Sequence, residues 1–368
     1  MEKAKVYFTD FHTTFQENLP QKLERLIKTA GIGNIDFERK YAAIKIHFGE
    51  PGNLAFLRPN YAAVVVKVIK ELGGKAFLTD CNTLYVGGRK NALDHMDAAY
   101  TNGFNPFATD CHVIIADGLK GTDDILVPVK NGELVKEAKI GRAIMDADIV
   151  ISLNHFKGHE ATGFGGALKN LGMGCGSRAG KMEMHSAGKP VVMEKKCIGC
   201  GKCVNACAHD APVLKDRKMT IDLDKCVGCG RCIGICPMDA IVAIEDETKD
   251  NLNRKIAEYS QAVCQDRPNF HINIVVDVSP NCDCHSSNDI PIVPNVGMFA
   301  SFDPVALDQA CADAVNKMPV VPGSQLDKMP KISKDHFKNS APITNWHSAI
   351  EHAVKIGLGT DQYELIEI

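Results

Sequence analysis

The 368-residue sequence predicts an α/β fold, a mostly parallel sheet body into which a cysteine-rich segment is inserted. Three observations carry this prediction. Short apolar runs alternate with stretches of helical spacing from the N-terminus onward. The runs are continuously apolar rather than alternating, as befits strands covered on both faces. Between Pro190 and Glu247 the alternation stops and Cys, Lys, Asp and Gly take over, after which it resumes.

Taken in order, Val6–Phe8, Ala42–Phe48, Lys75–Thr79, His112–Ala116 and Asp148–Leu153 read as buried strands. Between them Glu17–Ala30, Asn60–Leu72 and Arg89–Asn102 have the spacing of amphipathic helices, with Gly31 and Gly73 where C-terminal caps belong. Strand–helix alternation of this kind argues for a parallel sheet. Within the cysteine-rich segment, Met219–Leu223 and Ile241–Ile244 are short β-like runs. Beyond it come a helix at Asn251–Cys264, a very apolar strand at His271–Val278 and a helix at Pro304–Asn316. The Pro- and Lys-rich stretch Met318–Lys334 reads as a surface connection, and a last helix, Trp346–Ile356, closes at Gly357. The expected organisation is a body in two parts, residues 1–189 and 248–368, around an insertion at 190–247.

The cysteines of the insertion form two near-identical runs, Cys-x2-Cys-x2-Cys-x3-Cys: Cys197, Cys200, Cys203 and Cys207, then Cys226, Cys229, Cys232 and Cys236 followed by Pro237. Three thiolates from one tight loop can grasp three corners of a [4Fe–4S] cube, and the fourth Cys of each run ligates the other cube. Cys197, Cys200, Cys203 and Cys236 are therefore expected on one cluster, and Cys226, Cys229, Cys232 and Cys207 on the second. Zinc ribbons use paired Cys-x2-Cys knuckles instead. A disulfide framework needs an oxidising compartment, and Met1–Phe11 lacks the apolar core of an export signal. The segment thus has the dimensions of an α+β two-cluster ferredoxin-like domain. Ala208 stands where a proline often follows the fourth Cys, which alters a turn but removes no ligand.

Composition narrows the function classes. A formal net charge of −3 supplies no basic field for nucleic acid. No apolar run approaches the roughly 20 residues that span a bilayer. Fifteen cysteines point to a reducing cytoplasm, and oxygen-labile cubes to an anaerobic or microaerobic host.

Electron carriers rarely need two further domains of scaffold, so the body is expected to hold something the clusters serve. His155-Phe156-Lys157-Gly158-His159 ends a strand and leads into a Gly-rich turn and Lys169, with Cys175 and His185 beyond. Ligands bind at such carboxyl edges, and the glycines are expected to leave amides free for an anion. Asn281-Cys282-Asp283-Cys284-His285 follows another strand, and its Cys282, Cys284 and His285 suit a transition metal (Fe, Zn or Ni) or redox chemistry, or are simply loop thiols. His155, His159 or Cys175 beside them would complete a third metal centre. Asp80–Tyr85 with Arg89 and His95, and His47–Asn53, are either ligand loops or strand exits, with Arg89 able to hold a carboxylate or phosphate. His12, His336, His347 and His352 read as surface residues.

Asp80–Tyr85, Asn154–Gly172, Cys282–Cys284 and Ser301–Ala306 together resemble the family of uncharacterised iron–sulfur centre proteins, a domain of unknown function. The resemblance implies an α/β body carrying a ferredoxin insertion and no particular reaction. More distantly, His159-x2-Thr162-Gly163-Phe164-x-Gly166-Ala167-x-Lys169 resembles a signature of the nickel-dependent lactate racemase family. That resemblance implies Lys169 as a tether for a nickel-pincer nucleotide, with His159 and His185 as flanking catalytic histidines. Ala167 departs from a glycine of that signature.

Two classes of function follow. One is an iron–sulfur oxidoreductase whose cubes relay electrons to a site on the body that takes a small-molecule substrate. The other is an electron carrier docking to a redox partner protein; an isomerase like lactate racemase is a third reading. Neither nucleic acid nor membrane is an expected partner, and the oligomeric state is open.

Overall fold

The computed structural model describes residues 3–84, 87–185, 189–243 and 248–368. Its centre is an eight-stranded sheet in the order Tyr363–Glu367, Ala4–Thr9, Gly297–Ser301, Asn269–Val275, Ile149–His155, Tyr41–Lys45, Lys75–Asp80, His112–Ile115. Every neighbouring pair is parallel except the two made by Gly297–Ser301, which runs against both Ala4–Thr9 and Asn269–Val275. The α/β class expected from the sequence is the class observed.

Continuous apolarity in the strands reflects a core on each face. Ile149, Ile151 and Leu153 pack into the core that holds Leu23, Leu26 and Ile69 from helices Leu19–Thr29 and Pro59–Glu71. Val150, pointing the other way as strand geometry requires, packs with Leu171, Ile256 and Tyr259 of helices Ala167–Cys175 and Lys249–Cys264. A capping box between Asn18 and Gln21 starts the first helix. Asp303, in the Ser-Phe-Asp-Pro stretch, caps Pro304–Lys317 by accepting from the Val305 and Ala306 amides.

Some expectations are corrected. Gly297–Ser301, the pair Lys157–His159 with Gly163–Gly165, and helix Arg178–His185 are too short or too Gly-rich to stand out as periodic runs. The Met318–Lys334 connection contains a helical turn at Gln325–Lys328. His352 is buried rather than at the surface, its Nε2 2.7 Å from Oε1 of Glu258. That carboxylate also accepts the Glu133, Leu134 and Val135 amides, so a buried charge is fully satisfied. His12 and His347 are exposed, and His336 is half-buried.

In the cysteine-rich segment, strand Pro190–Val192 pairs antiparallel with Ile241–Ala243 and so joins the two ends. The remainder of the Ile241–Ile244 run lies outside the described residues. Between these ends the repeat is visible in the backbone. Helices Lys202–Ala206 and Arg231–Ile235 are each entered through a left-handed glycine, Gly201 (φ 74°) and Gly230 (φ 67°), and each stops at its fourth cysteine. Hairpin Pro212–Lys215/Lys218–Ile221 takes up the Met219–Leu223 run as far as Ile221. The segment's small core of Cys203, Met219, Ile233 and Ile241 also contains Leu84 and Met182 of the body. Arg178, buried, lies so close to Gly230 and Gly234 that a Cβ on either would collide with its side chain, and it donates to the Lys90 and Lys120 carbonyls.

Among the described residues no helix is long and apolar enough to cross a membrane. Helix Ala167–Cys175 approaches Lys249–Cys264 so closely that a Cβ on Gly172 would lie 2.2 Å from the Ile256 carbonyl oxygen. Gly172→Ala must push two helices apart, an overpacking cost of about 1–3 kcal/mol. Urea unfolding of the variant should show that loss, and an unchanged midpoint would contradict the close approach.

Candidate functional site

The carboxyl ends of the parallel strands open into a cavity of about 190 Å³. Strand Tyr41–Lys45 contributes Lys45 and the following His47, strand Lys75–Asp80 contributes Asp80, and strand Ile149–His155 contributes His155. Of the residues singled out in the sequence, His155, His159, Lys169, His185, Cys282, Cys284 and His285 all line it. These lie on separate segments, the 282–285 turn being held by the His285 amide donating to the Cys282 carbonyl.

The cavity floor is built from buried charges that must be paired to be tolerable. Lys45 Nζ lies 3.0 Å from Asp80 Oδ1 and donates to Asn170 Oδ1 at 2.6 Å. Asn170 in turn donates to Asn154 Oδ1, Asn154 to Ser152 Oγ, and Ser152 contacts His271 Nδ1, a polar ladder running across three strands. Arg89, 1% exposed, spends its guanidinium on the chain's own Glu50 (2.8 Å) and on His47 Nε2 (2.9 Å), rather than on an external anion. Burial holds the His47 imidazole down to about 3, so it stays neutral beside Arg89.

Lys157, buried in its hairpin, pairs with Asp283 Oδ1 at 3.0 Å. Burial would raise the Asp283 carboxyl, but Lys157, His47 and His155 outweigh it and hold the group well below the usual carboxylate range. His155 contacts Asp283 Oδ2 through Nδ1 (3.1 Å) and the Val276 carbonyl through Nε2 (2.7 Å). Both ring nitrogens are engaged, so His155 positions Asp283, correcting the expectation that it serves as a ligand. Cys175 is corrected likewise. Its thiol is fully buried with Cys81, Val150 and Leu171, outside the cavity lining, and burial pushes it up to about 12. Nor are the amides after the glycine turn free, because Ala167 and Leu168 donate theirs to the buried Asp308 at 2.7 and 2.9 Å.

Cys282 is the focus of the donors. Its Sγ lies 3.4 Å from Lys157 Nζ, 3.7 Å from Lys169 Nζ and 3.3 Å from the Cys284 amide nitrogen. Burial opposes a thiolate here, yet hydrogen bonding from Cys284 and the charges of Lys157, Lys169 and His159 lower Cys282 well below the ordinary thiol range. Cys284 moves the opposite way, raised first by its hydrogen bond to Cys282 and then by burial. The two sulfurs are thus driven apart, Cys282 towards thiolate and Cys284 towards thiol. His285 Nε2 contacts Glu160 Oε1 at 2.9 Å. His185, at the end of its helix, is held down to about 3 by burial and then by Lys169 and His159.

Two groups among the described residues have ligand atoms within 4.8 Å of one another, as a metal ion requires: His159, Cys282 and Cys284, and Glu160, Cys284 and His285. Of these, His159 beside the Cys282–His285 turn was anticipated from the sequence, and Glu160 was not. Lys45, Lys157, Asp80 and Asp283 were also missed as partners. A lysine inside an apolar strand run, as Lys45 is, is a signal that a buried anion waits nearby.

Two smaller cavities lie in the cysteine-rich segment. Cys197, Cys200 and Cys203 of the first run and Cys236 of the second line one of them. Cys226, Cys229 and Cys232 of the second run and Cys207 of the first line the other. The Ala240 amide donates to Cys236 Sγ at 3.3 Å.

Fold and sites define a cysteine-rich α/β protein with groups suited to metal binding. The chain belongs to the family described as Domain of unknown function (DUF362), whose model matches residues 42–313. Among solved structures it is similar to the lactate racemase apoprotein from Thermoanaerobacterium thermosaccharolyticum, at 11% identity and a TM-score of 0.37, over 74% of this chain and 51% of that one. It is also similar to a Thermotoga maritima protein known from a crystal structure, at 12% identity and a TM-score of 0.39, over 95% and 60%. The chain thus spans only half to three-fifths of those two proteins. No curated protein matches it.

The donors around Cys282 predict a pH signature. A lowered thiol is already ionised at neutral pH, so its iodoacetamide alkylation rate should stay flat as pH falls from 9 to about 7, where an ordinary thiol slows roughly tenfold or more. Lys169→Met removes one of the lowering charges and should move the fall in rate to higher pH. A wild-type rate that tracks an ordinary thiol would contradict the site's electrostatics.

Proposed function

We propose that this is an iron–sulfur redox protein in which two [4Fe–4S] clusters relay single electrons to the cavity on the α/β body, where a small molecule is reduced or oxidised. The observation that carries the reading is the crossed lining of the two small cavities, three cysteines from one run and the last from the other. That is the ligand arrangement of a two-cubane ferredoxin, and neither a zinc ribbon nor a disulfide framework calls for it. Cys197, Cys200, Cys203 and Cys236 would hold one cluster and Cys226, Cys229, Cys232 and Cys207 the other. The clusters supply one-electron transfer. The chain's own groups supply the thiolates, the Ala240 amide that bonds a ligand sulfur, and the apolar packing that limits water.

A relay to the body is supported by how thin the wall is. Thr83 and Lys181 line the large cavity, and the next residues, Leu84 and Met182, pack among Cys203, Cys232 and Cys236. Cys200 is exposed, with Ile198 exposed beside it on the first loop and Val227 exposed on the second, apolar surface suited to a donor protein. A reducing cytoplasm goes with this reading. In a racemase-like isomerase Lys169 would carry a cofactor; here its ammonium faces the Cys282 sulfur.

Anaerobic purification should yield two cubanes' worth of iron and acid-labile sulfide per chain, with the spectrum of two interacting reduced clusters. Cys236→Ser should damage the cluster held by the Cys197 run and leave its own run's cluster intact. Colourless protein after reconstitution, or damage confined to the Cys226 run, would overturn the reading.

A further inference from the structure

The large cavity contains a pair of sulfurs that the relay does not account for. Cys284 lies within hydrogen-bond reach of Cys282, and its amide also points at the Cys282 sulfur (3.3 Å). Two ammonium groups, Lys157 and Lys169, stand at 3.4 and 3.7 Å from that sulfur. Cations in contact with a sulfur favour an anion there and repel a metal ion. The third member of the group, His159, is turned for the same purpose. Its Nδ1 accepts the Ala161 and Thr162 amides at 3.0 and 3.3 Å, which places the ring proton on Nε2. A metal-bound imidazole has the opposite arrangement, its second nitrogen donating to an acceptor. His159 therefore offers Cys282 a proton rather than a lone pair.

We propose that Cys282 and Cys284 form a redox-active dithiol/disulfide couple that gathers, as a pair, the electrons the two clusters deliver singly, and exchanges them with a small anionic disulfide. This rests on the relay reading above. In the reducing direction the Cys282–Cys284 disulfide takes up two electrons, one originating from each cluster, and one proton. The S–S bond breaks, leaving Cys282 as thiolate and Cys284 as thiol. The thiolate then attacks a sulfur of the bound disulfide, displacing one thiolate and forming a mixed disulfide. Cys284, giving up its proton, attacks Cys282 and releases the second thiolate, which restores the internal disulfide. Atoms and charge balance, the proton that Cys284 gives up going to a leaving thiolate, while the His159 Nε2–H steadies the Cys282 sulfur as a hydrogen-bond donor.

The substrate class follows from the charges left over. Lys45 is matched by Asp80, Lys157 by Asp283 and Arg89 by Glu50. Lys169, Lys181 and Lys249 also line the cavity and have no carboxylate partner among the described residues. Lys181 also donates to the Gly176 carbonyl, and lysines with no ion pair among the described residues suit carboxylate groups on the disulfide. A volume of about 190 Å³ admits a small molecule and excludes a folded protein's disulfide.

The test uses cluster-loaded protein under argon. After diamide oxidation and iodoacetamide trapping, the peptide bearing Cys282 and Cys284 should be unalkylated and lighter by the two sulfhydryl hydrogens. Incubation with reduced methyl viologen should make both alkylatable, and Cys200→Ser, lacking an intact cluster, should slow that step. With viologen as donor, the anionic dialkyl disulfide 3,3′-dithiodipropionate should be reduced at least ~10-fold faster than the cationic dialkyl disulfide cystamine, although its leaving thiolate is the more basic of the two. Cys284→Ser should accumulate the mixed disulfide on Cys282. The couple is overturned if both thiols alkylate fully after oxidation, or if a stoichiometric metal beyond the cluster iron is lost in Cys282→Ser. Equal rates for the two disulfides overturn the substrate class. If the disulfide forms but viologen reduces it equally in Cys200→Ser, the relay fails and the couple stands.

Discussion

Everything at the large cavity depends on burying charge without leaving it alone. A lysine or aspartate withdrawn from water costs several kcal/mol unless its partner is in place. Lys45 with Asp80, Arg89 with Glu50, and Lys157 with Asp283 therefore fix not single side chains but the segments that carry them. Each pair joins positions far apart in sequence and near in space, at the carboxyl edge of the sheet. The 282–285 turn, which has no regular structure of its own, is located mainly by Asp283, gripped by Lys157 and His155. The placement of Cys282 is a consequence of that grip.

The same constraint explains why the cavity favours negative charge. Once the carboxylates are spent on partners, the Cys284 hydrogen bond and the lysine charges together push the Cys282 sulfur towards thiolate against the cost of burial. A cation brought into the same place would have to displace ammonium groups already in contact. The cysteine-rich segment solves a different problem. It presents thiols in two equivalent loops and packs their backs against Leu84, Met182 and Arg178 of the body. That packing sets the thickness of the wall between the two sites.

Much of this was legible before the fold was known. Continuous apolar runs at Asp148–Leu153 and His271–Val278 marked the buried strands observed at Ile149–His155 and Asn269–Val275, and the two quartets drawn from the cysteine spacing are the ones that line the two small cavities. The histidine-rich strand exit and the Cys-x-Cys-His turn were marked separately, and the sheet brings them together. What could not be read was tertiary. Cys175 looks like His159 in a motif, yet helix Ala167–Cys175 turns it into the core. Asp308, more than a hundred residues away, takes the amides that the glycine turn seemed to offer. His352 is buried only because Glu258 is there to receive it. Gly297–Ser301 is a short strand whose place between Ala4–Thr9 and Asn269–Val275 no local pattern records.

The most direct test of the central claim is an anaerobic crystal structure with anomalous data collected at the iron edge. The account predicts two separate iron clusters, one among Cys197, Cys200, Cys203 and Cys236 and the other among Cys226, Cys229, Cys232 and Cys207. Iron absent from both places, zinc in its stead, or each cluster held by the four cysteines of a single run would contradict it.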